Sequence, residues 1–129
     1  MDKANTLSAP LGRLLLAVLF LLAGFGKVMD PAGTIGYIAS HGLPLPQVGY
    51  AIALATEIGG GLLILVGYKT RLVAAVMAAF TIATAIFFHN DFADQAQMTN
   101  FLKNLAIAGG FLQLVAHGAG AFSIDNRKA

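Results

Sequence analysis

Between Val48 and Tyr68 this chain carries one charge, Glu57, near the middle of an otherwise uncharged run. The run is as long as a membrane-crossing helix. A carboxylate about ten residues from either end of such a helix lies roughly 15 Å deep, at about 1.5 Å of rise per residue. At that depth an ionisable group costs at least about 2–3 kcal/mol unless it faces a partner or a water-filled cavity. The run therefore points to an integral membrane protein with a polar site inside it.

Composition agrees. Of 129 residues, 57% are hydrophobic and 11% charged, whereas soluble domains carry about 25% charged residues. So few charges do not cover a water-facing surface. Cysteine is absent, which excludes disulfide staples, thiolate metal sites and an intrinsic dithiol relay. The eight basic residues are scattered among apolar blocks and form no phosphate-binding stripe, so nucleic acid is not an expected partner. With no Trp, the candidate interface aromatics are Tyr37, Tyr50 and Tyr68.

Four apolar blocks predict an all-α integral membrane four-helix bundle, a single domain over 1–129 with spans at about 11–29, 47–67, 71–89 and 100–118. Arg13 and Lys27 bracket the first block, where long basic side chains snorkel towards the two interfaces. A small-x-small exit for a signal peptidase is not evident after it, so it reads as an uncleaved span. Asp30-Pro31 can start a short interfacial helix as N-cap and first-turn proline. The segment His41-Gly42-Leu43-Pro44-Leu45-Pro46 ends that helix, because each proline disfavours helix in the residue before it. Small residues four apart (Ala51, Ala55 and Gly59; Ala75, Ala79 and Ala83; Ala106 and Gly110) are expected at helix contacts, where close backbone approach supplies dispersion. The run Gly59-Gly60-Gly61 would admit a neighbouring helix or a substrate beside Glu57.

Lys and Arg counts set the expected orientation. Lys3, Arg13, Lys69, Arg71, Arg127 and Lys128 fall on one side, and Lys27 and Lys103 on the other. Six against two predicts both termini in the cytoplasm, with Asp91 and Asp94 in an outward loop.

Glu57 has two readings: a buried ion pair that fixes helix register, or a proton-handling or substrate-anchoring group in a cavity. Its candidate partners are Lys27, towards the outer end, and Arg13, towards the inner. Lys27 is favoured because the outer half holds more polar company. His89 ends the third block, and Lys103 and Asn104 open the fourth, so all four spans could supply one pocket. Phe25, Phe87, Phe88 and Phe101 are candidate walls. His117 belongs to the opposite end, and His41 has no spacing to His89 that supports a haem or metal pair. No metal site is expected.

Several short stretches, in this order and spacing, resemble the DoxX family of small bacterial membrane proteins. They are Arg13-Leu14-Leu15-Leu16, Gly24-Phe25-Gly26-Lys27, Gly42-Leu43-Pro44, Glu57-Ile58-Gly59-Gly60-Gly61, Gly67-Tyr68-Lys69-Thr70-Arg71, His89, Asn104 and Gly118 to Asp125. The resemblance implies an inner-membrane four-helix bundle, with some relatives tied to quinone-, thiol- or sulfur-linked oxidoreductase systems. Two functions follow. One is a membrane component of such a system, in which Glu57, Lys27, His89, Asn104 and Lys103 bind a quinone and a redox partner protein supplies electrons. The other is a permease or binding protein for a small hydrophobic molecule or lipid, without redox activity.

Overall fold

The computed structural model describes residues 3–128; residues 1, 2 and 129 of the expected domain lie outside it. The described residues are helical, with no strand among them. The helices are α1 (Lys3–Met29), α2 (Pro31–Ser40), α3 (Pro46–Val66), α4 (Thr70–Phe88), α5 (Gln95–His117) and α6 (Ile124–Lys128). Three of them, over Leu7–Met29, Pro46–Val66 and Thr70–Phe88, are long and apolar enough to cross a membrane. The fourth long helix, α5, spans 23 residues but carries Asn100, Lys103, Asn104 and Gln113.

The four long helices run alternately up and down, and their contacts show it. On α1 and α3, Gly24 faces Ile58, Leu21 faces Gly61 and Arg13 reaches Ile64. On α4 and α5, His89 meets Gln97 and Thr81 meets Asn104. Phe20 of α1 packs on Phe111 of α5 with ring centroids 5.5 Å apart, in a core that includes Ala17, Ile64, Met77 and Ala108. Burial of this stripe holds the inner faces together. The outer faces stay apolar: Leu15, Leu22, Leu72, Val76, Leu102 and Leu112 are all exposed, as suits contact with hydrocarbon rather than water.

Helix ends follow local chemistry. Asp30 accepts from Gly33 N at 3.1 Å and Pro31 fills the first helical position of α2. α5 begins at Gln95, ahead of the expected start of its span, because Asp94 caps it by accepting from Ala96 N at 2.9 Å. Its first turn is polar, which hid it from a hydropathy reading.

Two expectations are corrected. Arg13 does not snorkel; it is 1% exposed. Its guanidinium donates to the Ala119 carbonyl (3.0 Å), to those of Ile64 (3.0 Å) and Leu65 (2.8 Å), and to that of Phe122. These are carbonyls left over at the end of α3 and in the segment after α5, so four N–H groups of one planar fork satisfy acceptors no helix can. The small residues four apart are the second case. Ala51, Ala55, Ala75, Ala79 and Ala106 face outward, and the buried stripe of α4 is Ala74, Met77, Ala78, Thr81 and Ala85. Of the expected positions Gly110 does meet another helix, with Leu16 of α1 3.6 Å from where a Cβ would stand. The closest approaches fall at Gly24, against Ile58, and at Gly60 and Gly61, against Met77 and Leu21, while Gly59 faces open space.

The Arg13 end is closed by the C-terminal segment. Asp125 N donates to Gly67 O at 2.8 Å, and its carboxylate accepts from Lys69 N (2.7 Å) and Thr70 N (2.8 Å), capping α4 from 55 residues away. Gly67 has φ +71°, and a Cβ there would lie 2.9 Å from an Arg13 nitrogen. Of the basic residues counted for orientation, the side chains of Lys3, Arg127 and Lys128 lie outside the described residues.

Candidate functional site

Glu57 sits in a π-type turn, Ala55–Gly60, within α3. Such a turn adds a residue to the helical register and bulges one side, and it recurs at functional sites. Here it turns Glu57 inward, where it is 5% exposed. The Lys27 ammonium, in the last turn of α1, stands 2.9 Å from Oε1 and 3.1 Å from Oε2. Glu57 therefore pairs with Lys27, and Arg13 is committed to carbonyls at the other end. The Tyr50 hydroxyl donates to the Lys27 carbonyl at 2.8 Å, fixing the end of α1 against α3. Lys27 thus meets both carboxylate oxygens at ion-pair distance.

The pair borders a cavity of about 550 Å³, within the range of roughly 300–1,000 Å³ usual for small-molecule sites. α1 contributes Leu19, Phe20, Ala23 and Lys27; α3 contributes Ile52, Ala53 and Glu57. Phe80, Phe87 and Phe88 of α4 form an aromatic wall that also carries Thr84, with His89 at its end. Thr34, Tyr37 and Ile38 of α2 cover one side. Tyr37 stacks on Phe88 (5.4 Å) and His41 packs edge-on against the same ring (4.9 Å), which ties α2 to α4.

From α5 come Asn100, Lys103, Asn104 and Ile107, spaced i, i+3, i+4 and i+7 and so on one helical face. Asn104 Nδ2 donates to Thr81 O (3.3 Å) and Thr84 Oγ1 (3.2 Å), which locks that face to α4. His89 Nδ1 lies 3.3 Å from Gln97 Oε1, suiting an Nδ1–H donor. All five residues singled out from sequence, Glu57, Lys27, His89, Asn104 and Lys103, thus line one cavity. Phe87 and Phe88 do so too, but Phe25 is exposed and Phe101 packs on Phe92. Phe20, Tyr37 and Phe80 were missed. Their helical spacing gave the signal for Phe20 and Phe80, since each faces the same side as a buried neighbour. His117 lies at the opposite end, beside Arg71 and Asp125.

The arrangement offers an ammonium donor, a buried carboxylate and a His at the end of an aromatic wall. An ion pair buried this way is weak evidence for stability, because desolvation offsets much of its attraction.

Comparison with known proteins agrees on identity. The DoxX family model matches residues 9–90. The chain is 43% identical over 125 residues to the inner membrane protein YqjF of Escherichia coli (strain K12), covering 97% of this chain and 95% of that one. It is 38% identical over 122 residues to the inner membrane protein YphA of the same organism, covering 91% and 87%. A Bacillus subtilis (strain 168) protein named "Putative oxidoreductase CatD" is 36% identical over 86 residues, 67% of this chain and 62% of that one. No solved structure gives a significant match. Glu57, Lys27 and His89 all fall inside the matched segment, and on that match the chain belongs to the DoxX family.

Proposed function

We propose that this chain is a multi-pass bacterial inner-membrane protein, a component of a quinone- or thiol/sulfur-linked oxidoreductase system whose cavity binds a quinone or similar ring. In this reading α5 is the fourth span of a four-helix bundle, its lipid face formed by Leu102, Leu105 and Leu112. Both termini are cytoplasmic, and the cavity opens outward. The names of two relatives as inner membrane proteins and of a third as an oxidoreductase support the setting.

The observation that carries the reading is the Lys27–Glu57 pair beside aromatic walls. A quinone carbonyl needs a donor, which Lys27 or His89 supplies. Reduction adds two electrons and two protons, and the quinol hydroxyl so formed can donate to the Glu57 carboxylate, which has lone pairs beyond those facing Lys27. A carboxylate and a His within hydrogen-bond reach can pass such protons. With no cysteine in the chain, the electrons come from a redox partner protein. The latch of Arg13 and Asp125 at the far end favours a dead-end binding cavity over a permeation path.

Purified protein in proteoliposomes separates the readings. Quinone recovered from the purified sample, and turned over when a reductant is supplied, is the expected result. Solute uptake without any redox change would replace it with the permease reading.

A further inference from the structure

We infer that Lys103 makes the cavity selective for ligands that join a flat apolar body to a negatively charged head. The inference rests on the reading of the cavity as a ligand site and names the class of ligand it takes.

The argument is one of charge. Three charged residues line the cavity: Lys27, Glu57 and Lys103. Lys27 and Glu57 neutralise each other at 2.9 Å. That leaves one ammonium in excess. The acidic residues of the same end do not offset it, because none lines the cavity. Asp30, Asp91 and Asp94 are all exposed, and the two that cap helices, Asp30 and Asp94, face Gly33 N and Ala96 N at their own helix ends.

Position supports this. Lys103 is exposed, Lys27 is 30% exposed at its side chain and Glu57 is buried, so the excess charge stands at the open side of the cavity and the carboxylate inside it. Asn100 stands one turn from Lys103 on the same helical face, and its side-chain amide can donate to an anionic head, whereas the Asn104 amide is committed to Thr81 and Thr84. Phe20, Phe80 and Phe88 line the same cavity and offer ring faces rather than hydrogen bonds. A ligand spanning the cavity would place a carbonyl or hydroxyl at Lys27–Glu57 and its anion at Lys103.

The test uses a matched pair of probes, 9,10-anthraquinone-2-sulfonate and uncharged 2-hydroxymethyl-9,10-anthraquinone, titrated into full-length protein in phosphatidylcholine nanodiscs. The sulfonate is expected to bind at least tenfold more tightly. Lys103→Gln should bring the ratio of affinities close to one, and Lys103→Arg should keep it. Equal affinities in wild type, or a preference that survives Lys103→Gln, would overturn the inference while binding of the uncharged probe upholds the cavity as a ligand site. Failure of folded wild-type protein to bind either probe would overturn both.

Discussion

Lys27 and Glu57 face each other across the contact of α1 with α3, the ammonium 2.9 and 3.1 Å from the two carboxylate oxygens. The partners are not equivalent. Lys27 is 30% exposed at its side chain and Glu57 6%, so an orphaned Lys27 can turn towards water and an orphaned carboxylate cannot. Lys27→Met should therefore cost about 3 kcal/mol of stability, near the lower end for a broken buried pair. Glu57→Gln, which stays polar and nearly isosteric, should cost about 1 kcal/mol. Thermal unfolding in detergent checks the order, and an equal or larger loss for Glu57→Gln would contradict it.

Arg13 should be the most sensitive basic residue in the chain. Its guanidinium serves the carbonyls of Ala119, Ile64, Leu65 and Phe122, and each buried acceptor left unpaired costs about 1–3 kcal/mol. Arg13→Gln is expected to lose at least about 3 kcal/mol. Arg13→Lys should recover little of it, because an ammonium cannot reproduce the planar fork. Asp125→Ala, which removes the α4 cap, should lose about 1 kcal/mol. Stability close to wild type in Arg13→Gln would exclude the latch.

The glycines of α3 offer a paired test. Gly60→Ala would press a Cβ into Met77, whereas a Cβ at Gly59 meets nothing within 4 Å. The first change should cost about 1–3 kcal/mol through overpacking. The second should be neutral or stabilise by up to about 1 kcal/mol through helix propensity. Melting temperatures moving in opposite directions would establish the register.

Orientation can be read with reporters. Six of the eight basic residues lie on one side of the expected spans, so a C-terminal fusion active only in the periplasm should stay silent. The same reporter inserted beside Asp91 should be active. Strong activity at the C-terminus would invert the topology and place the cavity mouth in the cytoplasm.

What sequence made legible, and what it hid, divides along physical lines. Glu57 announced itself through the cost of a lone charge in an apolar run, and Lys27 followed as a cation at matching depth. His89, Lys103 and Asn104 follow from alternation of spans, because up-and-down helices bring those ends together. The inward turn of Arg13 was not legible. Its acceptors are main-chain carbonyls, which no residue code identifies. Asp125 capping α4 is a contact over 55 residues with no local periodicity to mark it. The π turn at Ala55–Gly60 shifts the register within α3, so the glycine run marked a crowded segment without showing which glycine is crowded. Four-residue spacing of small residues proved ambiguous for a related reason. Alanine is common on both faces of an apolar helix, and only neighbours decide which face packs.

The central claim, that the polar cavity is a ligand site rather than a structural ion pair, is tested most directly by equilibrium binding of a short-chain quinone to protein in nanodiscs. Wild type should bind saturably at one site per chain. Glu57→Gln and His89→Ala should each weaken binding by about tenfold, the worth of roughly one lost hydrogen bond to a polar group, while remaining folded and monodisperse. No saturable binding to folded wild type, or affinities unchanged in both variants, would contradict the account and leave Lys27–Glu57 as a structural tie between α1 and α3.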